Sequence, residues 1–451
     1  MSRIAVIDIG KTNAKLALVE AETLAEVAVV TRPNTPLQGP WPQTDLEGHW
    51  QFFLHHLSAF HAAHGVDAIS VTTHGAAAVL LDRTGRLAVP MLDYEHAGPD
   101  ALAADYDRLR PAFAQTGSPR LPAGLNLGAQ LHWLLATQPG LSQALAHVLT
   151  YPQYWGWRLT GELASDVSSL GCHTDLWDPW RGQFSDLVPS LGLENRMAPA
   201  RRANEVLGRL RPQIAAATGL RPDTPVAVGI HDSNASLYPH VLGREGAFSV
   251  VSTGTWVVAM AVRGQAVPLD PLRDVLVNVD GLGQPVPSAR FMGGREFQVM
   301  RPVSDVAPTA ADRDHVLGTG LMLLPSVQQG SGPFPDRRSD WTVAPAGAGV
   351  QQVALSWYLA LMTHVCLTLI GARGPVIVEG PFARNPDYTA MLASVSAGGV
   401  ELAASATGTS VGAALLCLDQ ARPPDTRKVA GDPALAAYAA TWRAAVEGGS
   451  P

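Results

Sequence analysis

Three short polar stretches in this chain could do chemistry. The first is Asp8-Ile9-Gly10-Lys11-Thr12-Asn13, where an apolar run beginning at Arg3 ends. Such a turn presents backbone N–H groups, a hydroxyl, an amide and an ammonium to one spot. That donor set suits phosphate oxygens, and Asp8 beside it suits a phosphate-bound cation. The second is Thr253-Gly254-Thr255, another small polar turn between apolar runs at 248–252 and 256–262. The third is His231-Asp232-Ser233-Asn234, which follows the apolar run 225–230. A carboxylate such as Asp232 can accept the proton of a sugar hydroxyl as that hydroxyl attacks a γ-phosphate. The three together predict ATP handling. Lys11, Thr12 and Asn13 clamp the phosphates from one half, Thr253, Gly254 and Thr255 from the other, Asp8 holds Mg²⁺, and Asp232 is the base.

Each stretch has a plainer alternative. Either turn alone could be an ordinary hairpin tip, and Asp232 could simply cap the helix that follows. His231 could orient its neighbour, donate to a sugar, or be local structure only. A P-loop is the obvious rival for Gly10-Lys11-Thr12. It would need glycine where Ala5 stands and a helix after the turn, whereas residues 14–19 alternate as a strand does.

Further polar groups fall at predicted strand ends. His74 and Gly75 close the run 69–73, and Asp93-Tyr94-Glu95-His96 follows Pro90-Met91-Leu92. Sugars need many short, fixed hydrogen bonds, so carboxylate, imidazole and phenol at such positions suit a sugar pocket. The histidines at 55, 56, 61 and 64 invite a metal reading. On a helix only His61 and His64 share a face, with no further ligand at suitable spacing, so a solvated helix face is expected. The zinc H-E-x-x-H and G-x-S-x-G elements are absent, and Met292-Gly293-Gly294-Arg295 lacks the spacing of a dinucleotide fingerprint.

The elements that must position these groups read as α/β. Strand-like runs at 69–73, 225–230 and 376–379 alternate with helical ones at 129–138, 353–370 and from about 434. Residues 78–82 are expected to continue the 69–73 strand, and Ser233 or Asn234 to cap a helix opening at Ala235. The two turn-bearing hairpins lie about half a chain apart, which predicts two lobes of similar topology with a boundary near 242–245. The chain has 451 residues, 47% of them hydrophobic, and a net charge of −7. That size allows two or three domains, and the charge leaves no basic face for nucleic acid. Mean hydropathy near zero indicates a soluble protein. Three widely spaced cysteines, Cys172, Cys366 and Cys417, fit a reducing compartment rather than a disulfide framework. No charged-then-apolar leader opens the chain. The apolar run 353–370 reaches transmembrane length but carries Ser356, His364 and two threonines, so a buried central helix is expected instead.

With these residues in hand, the sequence resembles the FGGY family of carbohydrate kinases, within the actin-like ATPase superfamily. The likeness runs from Ile4 to about Leu418. It rests on Asp8 to Lys15, Thr73-His74-Gly75, Tyr154 to Glu162 with Ser165-Asp166, and Gly229 to Ser236. Ser252 to Thr255, Val378 to Pro386 and Thr407 to Leu416 complete it in the family's order. The resemblance adds Lys15, Gly380 and Asn385 to the ATP-binding residues. It makes Asp232 catalytic, and His74, Gly75, Asp93, Tyr94 and His231 sugar-binding. Two departures stand out. Gly380 is followed by Pro381-Phe382 where the family usually has more glycine, which predicts a looser or differently shaped adenine contact. The usual loop near Leu324-Pro325 appears as Gly330-Ser331-Gly332-Pro333. The His231-Asp232 pair resembles the rhamnulokinase and fuculokinase branch, which leans towards a 6-deoxy-ketose such as L-rhamnulose or L-fuculose.

The resemblance implies two actin-like (ribonuclease H-like) lobes with a central ATP and sugar cleft. Residues 1–243 would form the sugar-binding lobe with the catalytic Asp, 244–430 the nucleotide-binding lobe, and 431–451 a helical tail. It implies a cytoplasmic ATP- and Mg²⁺-dependent sugar kinase, with a small sugar as substrate, no nucleic-acid or membrane partner, and room for a homodimer. The alternatives are a xylulose- or polyol-specific kinase and a non-catalytic actin-like ATP binder, against which an intact Asp232 argues. An actin-like chaperone would need a peptide-binding domain that the short tail cannot supply.

Overall fold

The computed structural model describes residues 2–304, 306–403, 408–418 and 424–448. Thr407, expected to open the last motif, and Pro423, expected to open the tail, lie outside the described residues. The protein is α/β and divides into two compact units. One comprises Met1–Arg244, Val277–Pro285 and Thr407–Pro423; the other comprises Glu245–Leu276, Val286–Ala406 and Pro424–Pro451.

The first unit is built on a seven-stranded sheet. Its order is Val206–Arg209, Pro225–Ala227, Ala68–Thr73, Arg3–Ile9, Asn13–Glu20, Glu26–Pro33, with Ile230–His231 also beside Ala68–Thr73. Arg3–Ile9 is Arg-Ile-Ala-Val-Ile-Asp-Ile and Ala68–Thr73 is Ala-Ile-Ser-Val-Thr-Thr, and both are almost wholly buried. Near-continuous apolar, β-branched runs of this kind are what a strand covered on both faces requires. Arg3–Ile9 pairs antiparallel with Asn13–Glu20, so a strand, not a helix, follows the Gly10–Thr12 turn and the P-loop is excluded. The helix Leu46–His64 starts where the Asp45 side chain accepts from the Gly48 N–H. It buries Trp50, Phe53, Leu57 and Phe60 at spacings of three and four residues. Those side chains pack with Trp155 and the apolar faces of the central strands. On the same helix His55 and His64 are exposed, and no cluster of three metal-ligating side chains occurs among the described residues.

Three local expectations are corrected. Ala78–Asp82 does not continue the 68–73 strand; Ala76, at φ 52°, turns the chain, and the segment pairs with Leu145–Thr150 in a separate two-stranded sheet. The run 225–230 is split at Gly229, whose φ of 95° and approach to the Val71 carbonyl leave no place for a side chain; an added Cβ would lie 2.8 Å from that oxygen. The following helix opens at Asp232, with His231 as its cap residue, rather than at Ala235. Asp232 thus stands in the first helical turn, where the aligned peptide dipoles favour a carboxylate.

The second unit repeats the plan. Its seven-stranded sheet runs Val275–Val279, Pro285–Phe291, Val257–Val262, Phe248–Thr253, Val376–Glu379, Val400–Ala403, Thr426–Val429. Each sheet holds an antiparallel meander, then parallel strands, then an antiparallel edge strand. The helix Ala348–Leu369 is long and apolar enough to cross a membrane, but 72% of its most apolar window is buried inside the protein. It lies within the core of this unit, together with Trp357, Tyr358, Tyr388 and Trp442. A helix apolar on every side is stable in water only when covered in this way.

Candidate active site

Sheet register places the first-unit groups. In the parallel pairs, Ile9 lies opposite Thr73, and Thr73 opposite His231. Neighbouring strands run about 5 Å apart, so Gly10, His74 and Asp232 all leave the sheet at one carboxyl edge. That edge is where open α/β sheets bind their ligands.

Asp232 has one occupied and one open oxygen. Its Oδ1 accepts from the Ser233 N–H at 2.6 Å and lies 3.0 Å from His231 Nε2, while Oδ2 has no protein partner among the described residues. Burial raises a carboxyl pKa, but the His231 charge and hydrogen bond outweigh it and hold Asp232 below the usual carboxylate range. His231 is buried, and burial by itself disfavours its charged form. Cys172 and Asp232 reverse that and hold it well above the usual imidazole value. Its ring also contacts Cys172 Sγ at 3.5 Å and the Asn234 amide at 3.2 Å. Its own N–H donates to the Ser168 hydroxyl, which in turn donates to the fully buried Asp166. Gly75 has to be small: a Cβ there would sit 2.8 Å from His231 Nε2 and 3.1 Å from Cys172 Sγ.

Sequence reasoning missed Cys172, Ser168 and Asn34. Asp166 stood only as part of a motif. Its role appears when its carboxylate is seen to cap residues 167–170 and hold the serine beneath His231. Asn34 gave no signal, being one polar residue in a Pro-Asn-Thr-Pro loop. Its side chain donates to the Gly10 carbonyl and meets His49 Nε2, and its N–H donates to the Thr12 carbonyl, so it fixes the Gly10–Thr12 turn.

Asp8 and Lys15 face each other across the hairpin, with Nζ 3.3 Å from Asp8 Oδ2. The same oxygen accepts from Thr409 at 2.5 Å and Ser410 at 2.8 Å. Residues 408–418 therefore serve the first unit, although their place in the sequence put them with the nucleotide half. Gly412 makes this possible, since a Cβ there would meet the Ala235 carbonyl at 1.7 Å. The donor set fits a cation that arrives with phosphates, because Asp8 Oδ1 has no partner among the described residues and such an ion needs only one or two protein oxygens.

Lys11 sits away from Asp8. Its Nζ lies 2.5 Å from Asp93 Oδ1 and 3.1 Å from Glu95 Oε2, over the Tyr94 ring at 4.5 Å. Tyr94 in turn packs on His74, with ring centroids 5.3 Å apart. The groups expected to bind sugar are thus contiguous, from Asp93 and Tyr94 through His74 and Gly75 to His231 and Asp232. Lys11, expected at the phosphates, joins them. Thr12 and Asn13 are exposed on the turn.

In the second unit, Ser252 lies opposite Glu379 in parallel register, so Thr253 and Gly380 leave one sheet edge together. The Thr253 hydroxyl donates to the Glu379 carbonyl at 2.5 Å and accepts from the Phe382 N–H at 3.1 Å. Gly380, at φ 83°, lets this loop close on the strand; a Cβ would lie 2.2 Å from the Thr253 carbonyl. Phe382 is buried against Phe297 and Tyr388, which fixes the Gly-Pro-Phe departure as part of the core. Asn385 caps helix Pro386–Val395 and donates to the Ser356 hydroxyl at 2.9 Å. Gly254 and Thr255 remain exposed, their turn resting on the start of helix Gly293–Met300.

Residues 3–238 match the N-terminal domain of the FGGY family of carbohydrate kinases, and residues 245–426 match a carbohydrate kinase FGGY C-terminal domain. The chain belongs to the FGGY family of carbohydrate kinases. Members of this family are sugar kinases that take phosphate from ATP. An FGGY relative, the L-fuculokinase of Salmonella typhi, is 27% identical over 271 residues, 58% of this chain and 57% of that protein. The xylulose kinase of Escherichia coli K12 is also 27% identical, over 274 residues, 55% of this chain and 54% of that one. The chain thus spans a little over half the length of these curated relatives. A solved carbohydrate kinase from Novosphingobium aromaticivorans is 40% identical, with a TM-score of 0.92, covering 98% of this chain and all of that one. A xylulose kinase from Rhodospirillum rubrum has a TM-score of 0.79 at 23% identity, covering 99% and 98%, which speaks to fold alone. The FGGY fold is the actin-like two-lobe fold, in agreement with the two sheets of one plan found here.

Proposed function

We propose that this chain is an ATP-dependent kinase that transfers the γ-phosphate to a hydroxyl of a small ketose or polyol, with Asp232 as general base. The observation that carries this reading is the split use of the Asp232 carboxylate: Oδ1 is tied to the Ser233 N–H and His231, and Oδ2 is open. A fixed carboxylate with one open oxygen orients a hydroxyl for in-line attack and takes its proton late. A low pKa is no obstacle to this, because in a loose phosphoryl transfer position counts for more than basicity. The second oxygen stays ionised to acid pH, so the acid limb of kcat/KM is expected below the usual carboxylate range.

ATP contacts are assigned to Thr12, Asn13 and Lys15 in the first unit and to Thr253, Gly254, Thr255, Gly380 and Asn385 in the second. Mg²⁺, when bound, neutralises phosphate charge, with Asp8 as its protein oxygen. Residues 1–243, joined by 277–285 and 408–418, then carry acceptor and base chemistry, the rest of 244–430 the nucleotide, and 431–448 a helical tail. This work belongs in the cytosol, where ATP is plentiful. The His231-Asp232 pair favours a 6-deoxy-ketose such as L-rhamnulose or L-fuculose. Equal identity to the xylulose kinase of E. coli keeps a pentulose as the second reading.

An ADP-release screen over ketoses, aldoses and polyols tests the proposal. Saturable release with one ketose is expected. ADP release that no acceptor stimulates would instead mark an ATPase, and no release with any acceptor a non-catalytic ATP binder.

A further inference from the structure

Lys11 occupies a position where the geometry and the sequence disagree. In sequence it belongs to the phosphate turn. In the structure it crosses to Asp93, Tyr94 and Glu95, and it lines a small pocket with Asn34, Thr44, His74 and Asp93. The pocket has room for about one water-sized group, such as a single hydroxyl.

The donors and acceptors around it can be counted. Lys11 has three N–H donors, and Asp93 Oδ1 and Glu95 Oε2 take two of them. Asp93 Oδ1 also accepts from the Glu95 N–H, which leaves its Oδ2 open among the described contacts. One N–H of the Asn34 amide donates to the Gly10 carbonyl and its oxygen meets His49 Nε2, which leaves the second N–H to the pocket. His74 Nδ1 lies 3.0 Å from the Gly75 carbonyl. A carbonyl only accepts, so Nδ1 carries the proton. Burial holds His74 below its usual pKa, and the neutral ring then has a bare lone pair on Nε2. Lys11 therefore has one further donor hydrogen, beside the second Asn34 N–H and the Thr44 hydroxyl, and Asp93 Oδ2 and His74 Nε2 are acceptors. A hydroxyl can accept from Lys11 and donate to Asp93 or His74. A carboxylate has no hydrogen to donate to Asp93 or His74, and it would meet the Asp93 and Glu95 carboxylates with Lys11 already paired to both.

We propose that Lys11 is a specificity-determining residue of the acceptor pocket, where with Asp93 and His74 it reads one hydroxyl of an uncharged acceptor and rejects a carboxylate. This rests on the kinase reading for its acceptor class, but not for the position of Lys11. Sugar-acid acceptors are excluded by the donor–acceptor mismatch and by the like charge.

The test is equilibrium binding, by calorimetry, of ATP and of ketoses, alditols and aldonates of four to six carbons to the full chain and its Lys11→Met and Asp93→Asn variants. Wild type is expected to bind a neutral compound at least about tenfold tighter than the aldonate of the same length. Lys11→Met should weaken neutral-acceptor binding about 10–100-fold, the range for losing a charged hydrogen bond, with ATP binding within about threefold. Asp93→Asn should narrow the preference over the aldonate by about tenfold, and Lys11→Arg should restore part of the loss. Weakened ATP binding with unchanged acceptor binding in Lys11→Met would return Lys11 to the phosphates and overturn the proposal. So would aldonates binding wild type as well as neutral compounds, or no binding by any of these acceptors. Neutral binding of the expected pattern without turnover would instead sink the kinase reading and leave this one standing.

Discussion

The two hairpin turns, at 10–13 and 253–256, occupy the same place in two sheets of one plan, yet they use their side chains in opposite ways. In the first unit charged side chains hold one another around the turn. Lys11 reaches Asp93 and Glu95, Asp8 is held by Lys15, Thr409 and Ser410, and the backbone is fixed from outside by Asn34. In the second unit the Thr253 hydroxyl is spent on the Glu379–Phe382 backbone, and what stays exposed is Gly254 and Thr255. A shared topology supplies two sets of strand ends, and side-chain placement then divides the labour. Under the proposed function the first would read an acceptor and move a proton, and the second would offer small groups and backbone donors to a nucleotide.

The largest effect should come from the first unit. Asp232→Asn keeps shape but cannot take a proton, so kcat should fall by about 10²–10⁴, with the KM for ATP and for acceptor changed only severalfold. Steady-state kinetics measure this. Turnover within about tenfold of wild type would erase the proposed division. Glycine substitutions probe both edges next. Gly380→Ala forces a Cβ onto the Thr253 carbonyl at positive φ. It should cost roughly 2–4 kcal/mol in the second unit, and raise the ATP KM in whatever enzyme survives. Gly75→Ala pushes on the His231 ring, which can yield. It should cost stability little but kcat up to about 10²-fold through misplacement of Asp232. If both variants gave the same pattern in denaturation and kinetics, the edges would not differ in function.

Thr253→Ala leaves the Phe382 N–H without its partner. A loss of roughly 1–3 kcal/mol is expected, recovered largely by Thr253→Ser. An unchanged midpoint in urea would show that the hydroxyl holds nothing.

The smallest effect concerns pH. His49 in the first unit and His364 in the second are each pushed down to about 4, chiefly by burial and then by Arg32 and Arg443 respectively. The unfolded chain takes up protons below its ordinary value near 6.5, and the folded chain does so only near 4. Stability is therefore fully present above about 6.5 and is lost as pH falls towards 4. His49, fully buried, accounts for about 1–2 kcal/mol of that loss at pH 5. Denaturant titrations at pH 7 and 5 should show His49→Gln flattening the decline more than His364→Gln, because His364 is only half-buried. The reverse order would place the acid-labile core in the second unit.

Much of this was legible in the chain. Unbroken apolar runs ending in small polar turns gave both hairpins, the strand Val376–Glu379 and the buried helix around residue 353, because a strand or helix covered on all sides has to be apolar throughout. The residue types at 8–13, 231–234 and 253–255 carry the proposed chemistry, since phosphate, cation and proton transfer each demand particular donors. Local sequence could not say where side chains meet across distances of about 20 to 400 residues. Asn34 fixes a turn that it follows by more than twenty residues, and Thr409 and Ser410 return to Asp8. Lys11 pairs with Asp93, and Cys172 lies against His231. The helix opening at Asp232 rather than Ala235 belongs with these. Its start is set by the register of Ile230–His231 on the neighbouring strand, which no local propensity contains. Sequence determined which groups were available and the elements that bear them. Tertiary packing alone decided which partners each group would have, because hydrogen bonds and ion pairs of a few ångströms depend on strand order and register.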